Sequence, residues 1–186
     1  MSVDRSFTPD AASIRAARRF VLAAAGDLAP DLRDAISVMV SELAMNAVQY
    51  ARTTFVVSID RSFAPDAASI RAARQFVLAA VDGAAPDLRD AISVMVSELA
   101  MNAVQYARTT FMVRIDLTGD SLRVAVTDSG GGDPEAQPLP PASSPHGRGL
   151  FLVDRLADEW GVSPAADGPE RTVWFRVAMS PQSTRS

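Results

Sequence analysis

The segment Val3–Ser58 returns as Ile59–Arg114 almost residue for residue. A repeat constrains a chain before any single motif does, because one local sequence must serve in two places. Ser6-Phe7 returns as Ser62-Phe63, and Glu42 and Asn46 return as Glu98 and Asn102. The differences are few: Thr8 against Ala64, Arg19 against Gln75, the loop Ala25–Leu28 against Val81–Ala84, and a few others. Two units are too few for a solenoid, which needs about three or more. Likeness this close marks a recent or engineered tandem duplication. Nothing after Arg114 repeats.

Each copy reads as strand, helix, helix, strand. Val3–Phe7 is short and alternating, and Asp10 is the expected N-cap of a helix reaching about Ala25. Ile14, Ala17, Phe20, Val21 and Ala24 give that helix one apolar face, and Gly26 with Pro30 breaks it. Pro30 or Asp31 opens a second helix that ends near Tyr50. Thr53–Ile59 is rich in β-branched residues and runs without Gly or Pro to Phe63, so one strand ends the first copy and begins the second. After the second copy comes a hairpin, Thr109–Leu117 and Ser121–Thr127, turning at Thr118-Gly119-Asp120. Glu135–Pro145 is rich in Pro, Ala and Ser and reads as a mobile loop. A helix is expected from Gly147 to about Trp160, then strands at Val162–Ala165 and Arg171–Val177. The domain reading is a duplicated half-unit over 1–58, a complete unit over 59–179 and a frayed tail over 180–186.

Composition excludes several classes of function. The chain has no cysteine, hence no disulfide frame or thiolate metal site, and its single histidine, His146, cannot build a zinc site. No apolar run reaches the roughly 18–20 residues of a membrane span, and the N-terminus lacks the apolar core of a signal peptide, so a cytoplasmic protein is expected. A net charge of −4 argues against a general nucleic-acid binder.

Within the second helix of copy two, Leu88, Ile92, Met95, Leu99, Ala103 and Tyr106 recur at three- and four-residue steps, the pattern of one buried face. Glu98 and Asn102 lie one turn apart beside that stripe. Alone, they read as readily as solvent-facing polar residues. A carboxylate and a neutral amide oxygen side by side also suit a hard cation carried on a polyphosphate. Downstream, Asp128 ends a strand and is followed by Gly130 and Gly132, where backbone can approach a ligand closely. Gly147 and Gly149 sit at a helix start, where free N–H groups attract phosphate. One glycine-rich turn is weak evidence. Three such motifs in this order around a long loop converge on a nucleotide.

Glu98–Asn102, Asp128-Ser-Gly-Gly-Gly132 and Gly147-Arg-Gly-Leu150 resemble the three nucleotide-binding boxes of the Bergerat-fold (GHKL) ATPases. The compact size, the short lid and the ending Arg171-Thr-Val-Trp-Phe175 are most similar to the anti-sigma-factor serine kinases of the RsbW and SpoIIAB type. The resemblance covers Ile59 to about Val177; the first copy matches only the N-terminal half. It implies a two-layer α/β sandwich, with helices on one face of a mixed, mostly antiparallel sheet extended by the duplicated unit. It implies ATP and Mg²⁺, with Asn102 holding the metal against the phosphates. Glu98 would be the catalytic base, or would orient the attacking hydroxyl or water. Asp128 would accept a hydrogen bond from the adenine amino group, with Thr172 beside it. Gly130, Gly132, Gly147, Gly149 and Leu150 would shape the pocket under a lid formed by Glu135–Pro145, and Arg148 would touch phosphate or remain a solvated charge. Many relatives carry a histidine near Gln105-Tyr106; this chain does not.

The implied function is a protein-serine kinase that phosphorylates an anti-anti-sigma (STAS) partner and sequesters a sigma factor. A non-catalytic ATP-binding or sequestering module is the alternative. A third reading is an engineered or evolutionary duplication of such a domain, with the duplication itself as its point. Glu42 and Asn46 repeat the catalytic pair without the downstream boxes, so one nucleotide site per chain is expected. Copy one either joins a single extended sheet with four N-terminal helices side by side, or swaps into a second molecule; a homodimer covers its remaining apolar surface.

Overall fold

The computed structural model describes residues 11–26, 29–51, 56–118, 121–130, 148–164 and 170–179. The expected first strand at Val3–Phe7, Asp10, the loop Glu135–Pro145, Gly132, Gly147 and the tail lie outside the described residues.

Copy one supplies α1 (Ala11–Ala24) and α2 (Pro30–Asn46), and copy two supplies α3 (Ala67–Ala80) and α4 (Pro86–Asn102). Asp66 caps α3, its carboxylate accepting from Ser69 N at 2.8 Å, which satisfies one of the donors a helix start leaves free. α2 and α4 share all seventeen residues, including a proline at the first turn, where no N–H is needed. Both run into a π-helical turn, Ala47–Ala51 and Ala103–Ala107. In copy two that turn closes at Arg108, which has a left-handed backbone (φ 55°) and donates its N–H to Ala103 O. The loops between the helices differ in sequence, yet an arginine clamps each. Arg89 donates to Val81 O at 2.8 Å, and Arg33 donates to Gly26 O at 3.1 Å.

The strands are β1 (Val57–Phe63), β2 (Phe111–Leu117), β3 (Ser121–Asp128), β4 (Glu159–Pro164) and β5 (Arg171–Ala178). Their order across the sheet is β1-β2-β3-β5-β4, and every described pairing is antiparallel. The join between the copies falls inside β1, as the unbroken β-branched run implies. A fifth helix, α5 (Arg148–Leu156), is shorter than the sequence suggests. Trp160 belongs to β4 rather than to the helix: it pairs with Phe175, while its indole N–H donates to Asp154 at 2.9 Å. The chain leaves the helix at Ala157 and reaches the sheet when Asp158 N donates to Arg176 O.

Alternation along the strands builds the two layers. Val113, Ile115, Val124, Val126 and Phe175 point at the helices and are buried with Ile92, Met95, Val96 and Leu99 of α4. Phe63 bridges the halves of the core, stacked on Phe111 at 5.5 Å and tilted against Phe76 at 6.1 Å. The opposite face carries polar groups, among them Arg123 over the Trp174 ring and Asp116 between Arg114 and Arg123. Helix neighbours run α2, α1, α3, α4, α5, so the four N-terminal helices do lie side by side. α1 reaches the core through Phe20 and packs on β1, whereas α2 makes no substantial contact with any described strand. The helical layer therefore extends beyond the sheet. Among the described residues, no helix is long and apolar enough to cross a membrane.

Candidate functional site

The candidate site residues lie on α4, at the end of β3 and at the start of α5; α4 packs on α5, and the π-helical turn that follows α4 packs on β3. Glu98 and Asn102 are half-buried on the edge of α4, one turn apart, while Met95 and Leu99 on the adjoining face are buried. That edge position follows from the helix period: the apolar stripe fixes the rotation of α4 and leaves positions 98 and 102 at its border.

α5 packs against α4 and brings Gly149 to Glu98. A Cβ at Gly149 would collide with Glu98 Oε2 and stand 3.3 Å from its Cδ, so only glycine leaves the carboxylate its present place. The start of a helix favours negative charge, from a carboxylate or from a phosphate, because its first N–H groups have no partner within the helix. Leu150, next in sequence, is partly buried and packs against the core, which makes it an anchor for the helix start. The side chain of Arg148 lies outside the described residues.

Asp128 is the last residue of β3 and is buried at 4% exposure. Burial pushes its carboxyl above the ordinary value of 3.8; the Arg171 charge and a hydrogen bond from Gly130 N, 3.1 Å from Oδ1, act the other way. A Cβ at Gly130 would stand 3.0 Å from Oδ1, a tight contact to which the carboxylate would have to give way by a few tenths of an ångström.

The structure moves Thr172 away from the expected place beside Asp128. The register sets Asp128 opposite Arg171 and Thr127 opposite Thr172. Because successive side chains alternate between faces, Thr172 shares the face of Thr127, and their hydroxyls are 2.8 Å apart. The residue missed from sequence is thus Arg171. Pairing β3 with β5 end to end would have found it, since it precedes Thr172 by one position. In copy one, the repeated pair Glu42 and Asn46 is exposed on α2. Asp128 and Gly149 have no counterparts in copy one, because nothing after Arg114 repeats.

Among the described residues, no three acidic or histidine side chains gather to hold a metal. One neutral amide oxygen from Asn102 suits an ion that takes most of its ligands from phosphates and water.

The antiparallel five-stranded sheet and its one-sided helical layer are those of a GHKL-type α/β sandwich. The sequence pattern of the family described as "Histidine kinase-like ATPase domain" matches residues 63–177, more than half of the chain. The chain belongs to that family, and membership implies ATP binding. The crystal structure of the RsbU and RsbW domains of Rv1364c from Mycobacterium tuberculosis is similar to this chain at 14% identity and a TM-score of 0.47. The similarity covers 78% of this chain and 44% of that one, so this chain spans less than half of the chain it resembles. No curated protein matches.

Proposed function

We propose that the chain binds Mg²⁺-ATP between α4, β3 and α5 and transfers its γ-phosphoryl group to a serine hydroxyl of an anti-anti-sigma (STAS) partner, while sequestering a sigma factor when the partner is phosphorylated. The observation that carries the catalytic part is the approach of the Glu98 carboxylate to Gly149 at the start of α5. It sets a proton acceptor beside the helix end best suited to phosphate. The identity of the partners rests on the resemblance of the motif spacing and the Arg171–Phe175 ending to anti-sigma kinases.

In this reading, Asp128 accepts from the adenine amino group and Gly130 leaves room for the base. Asn102 offers its amide oxygen to the cation, which when bound offsets the charge of the phosphates. Glu98 orients the serine hydroxyl and takes its proton as that oxygen bonds to phosphorus and the bond to ADP breaks. Catalysis of this kind is positioning and electrostatics rather than covalent chemistry by the protein.

Labelled-phosphate transfer from ATP to a STAS protein tests the proposal. Glu98→Gln should retain ATP binding and lose transfer by roughly 100-fold or more, the scale of general-base effects. Asn102→Ala should weaken binding in Mg²⁺ more than in its absence. ATP binding with no transfer by the unaltered chain to any STAS partner would leave a non-catalytic binding module instead.

A further inference from the structure

α2 and α4 have one sequence and two fates. Met95 and Leu99 of α4 are 0% and 2% exposed under the sheet, whereas Met39 and Leu43, the same side chains in α2, are 62% and 68% exposed. Leu32, the twin of the partly buried Leu88, is 51% exposed. The difference is not local folding. Ser41 and Ser97 donate to the carbonyls of Ser37 and Ser93 at the same 2.7 Å, and both helices begin and end alike. Among the described residues α2 has no sheet against it, because β2–β5 occur once and the helical hairpin twice.

We propose that this outer face of α2 is a docking surface for a second copy of the chain, pairing α2 against α2 in antiparallel. The sheet of another molecule is the obvious rival occupant, and counting removes it. Any number of molecules has twice as many hairpins as sheets. Seating α1–α2 on a neighbour's sheet displaces an α3–α4 hairpin carrying the same apolar side chains. Exchange leaves the exposed apolar area unchanged and has no driving force, while pairing two outer faces removes both from water.

Leu32, Ile36, Met39 and Leu43 follow one another at steps of four, three and four residues, a single helical seam. In an antiparallel pair with two-fold symmetry, Leu32 meets Leu43 of the second copy and Ile36 meets Met39. Along the flanks, Ala35 faces Glu42 and Arg33 faces Val40, so no like charges are brought together. The exposed face amounts to roughly 400–500 Å², the size of the largest apolar patch on a typical monomer, which is often functional. Two such faces approach the roughly 1,000 Å² that a specific interface must clear, which makes the dimer reversible and concentration-dependent.

Analytical ultracentrifugation of the full chain across a concentration series tests this. The unaltered protein should pass from monomer to dimer, and Leu43→Lys or Met39→Lys should each raise the dissociation constant at least tenfold while circular dichroism stays unchanged. Two substitutions guard against one of them simply unfolding. The register is tested separately, because the chain has no cysteine of its own. An oxidised mixture of Leu32→Cys and Leu43→Cys chains should give the mixed disulfide in preference to either like-with-like product. A monomer at every concentration, a dimer indifferent to both lysine variants, or a preference for like-with-like crosslinks would overturn the proposal. A dimer that both lysine variants weaken, but that never gives the mixed crosslink, would also overturn it, showing that α2 docks elsewhere, the swapped arrangement included.

Discussion

Asp128 is a carboxylate at the end of a strand, buried deeply enough that its proton affinity rises despite Arg171 and the Gly130 N–H. The native state therefore binds a proton more tightly than the unfolded chain does. Stability linked to this group falls as pH rises from the ordinary value of 3.8 through the raised native value. Above that window the cost of the buried charge is fully present; below 3.8 it is absent. Asp128→Asn keeps an acceptor for Gly130 and removes the charge. It should raise the melting temperature of the nucleotide-free protein at neutral pH, and the gain over the unaltered protein should vanish as the pH approaches 3.8. The same change should weaken ATP binding by roughly 10- to 100-fold, since a buried polar contact left unmade costs about 1–3 kcal/mol. Calorimetry across pH, with and without ATP, reads both effects. Gly149 separates stability from chemistry in another way. Gly149→Ala should gain a few tenths of a kcal/mol of helix propensity, less than the roughly 1 kcal/mol of a helix interior, because position 149 lies in the first turn of α5. The new methyl group forces the Glu98 carboxylate aside, so transfer should drop by at least roughly tenfold, a loss on the scale of a displaced general base. A thermal melt paired with a transfer assay would show the two moving in opposite directions.

At the scale of elements, the duplication makes the chain its own control. Leu99→Ala removes a side chain packed between α4 and the sheet and should cost about 2–5 kcal/mol. Leu43→Ala makes the same change on the exposed α2 and should cost under about 1 kcal/mol at concentrations where the chain is monomeric. Equal costs in a denaturant titration would mean that α2 is covered in solution by something other than a weak dimer contact. These twins also mark where sequence is readable. The helices follow from periodicity and turn residues in both copies, and the hairpin strands and the shared strand follow from their β-branched runs. Which twin is buried does not follow, because it depends on how often β2–β5 occur and where they fold back. The end of α5 escapes a sequence reading for a related reason. Ala157 to Trp160 has no helix breaker, and only the pairing of Trp160 with Phe175 makes it a strand. The candidate positions Glu98, Asp128 and Gly149 are visible in motif spacing. The exchange of Thr172 for Arg171 beside Asp128 is a matter of strand register, which a sequence read one segment at a time does not contain.

At the scale of the whole molecule, the question is how far the ATPase domain depends on copy one. The family match begins at residue 63, inside β1, and every candidate site residue lies beyond it. The site should thus survive without α1 and α2. Their removal is still not neutral, because Phe20 enters the same core cluster as Phe63 and Phe76, and Ala17 is fully buried. Residues 57–186 retain all of β1, whose seven residues pair with β2 from Val57–Leu117 to Phe63–Phe111. A chain of those residues loses the cover that α1 gives to the core beside β1. Exposing that surface removes the burial of about one large aromatic side chain and its neighbours, a loss on the order of 2–4 kcal/mol. The shortened protein should fold, melt at a lower temperature and bind ATP with an affinity within roughly threefold of the full chain, about 0.6 kcal/mol. It should also fail to dimerise through α2, which it lacks. Isothermal titration with ATP and a thermal melt of the two proteins side by side provide the check. A folded 57–186 chain that no longer binds ATP would place copy one in the nucleotide site, and the repeated Glu42–Asn46 pair would then be the first residues to substitute.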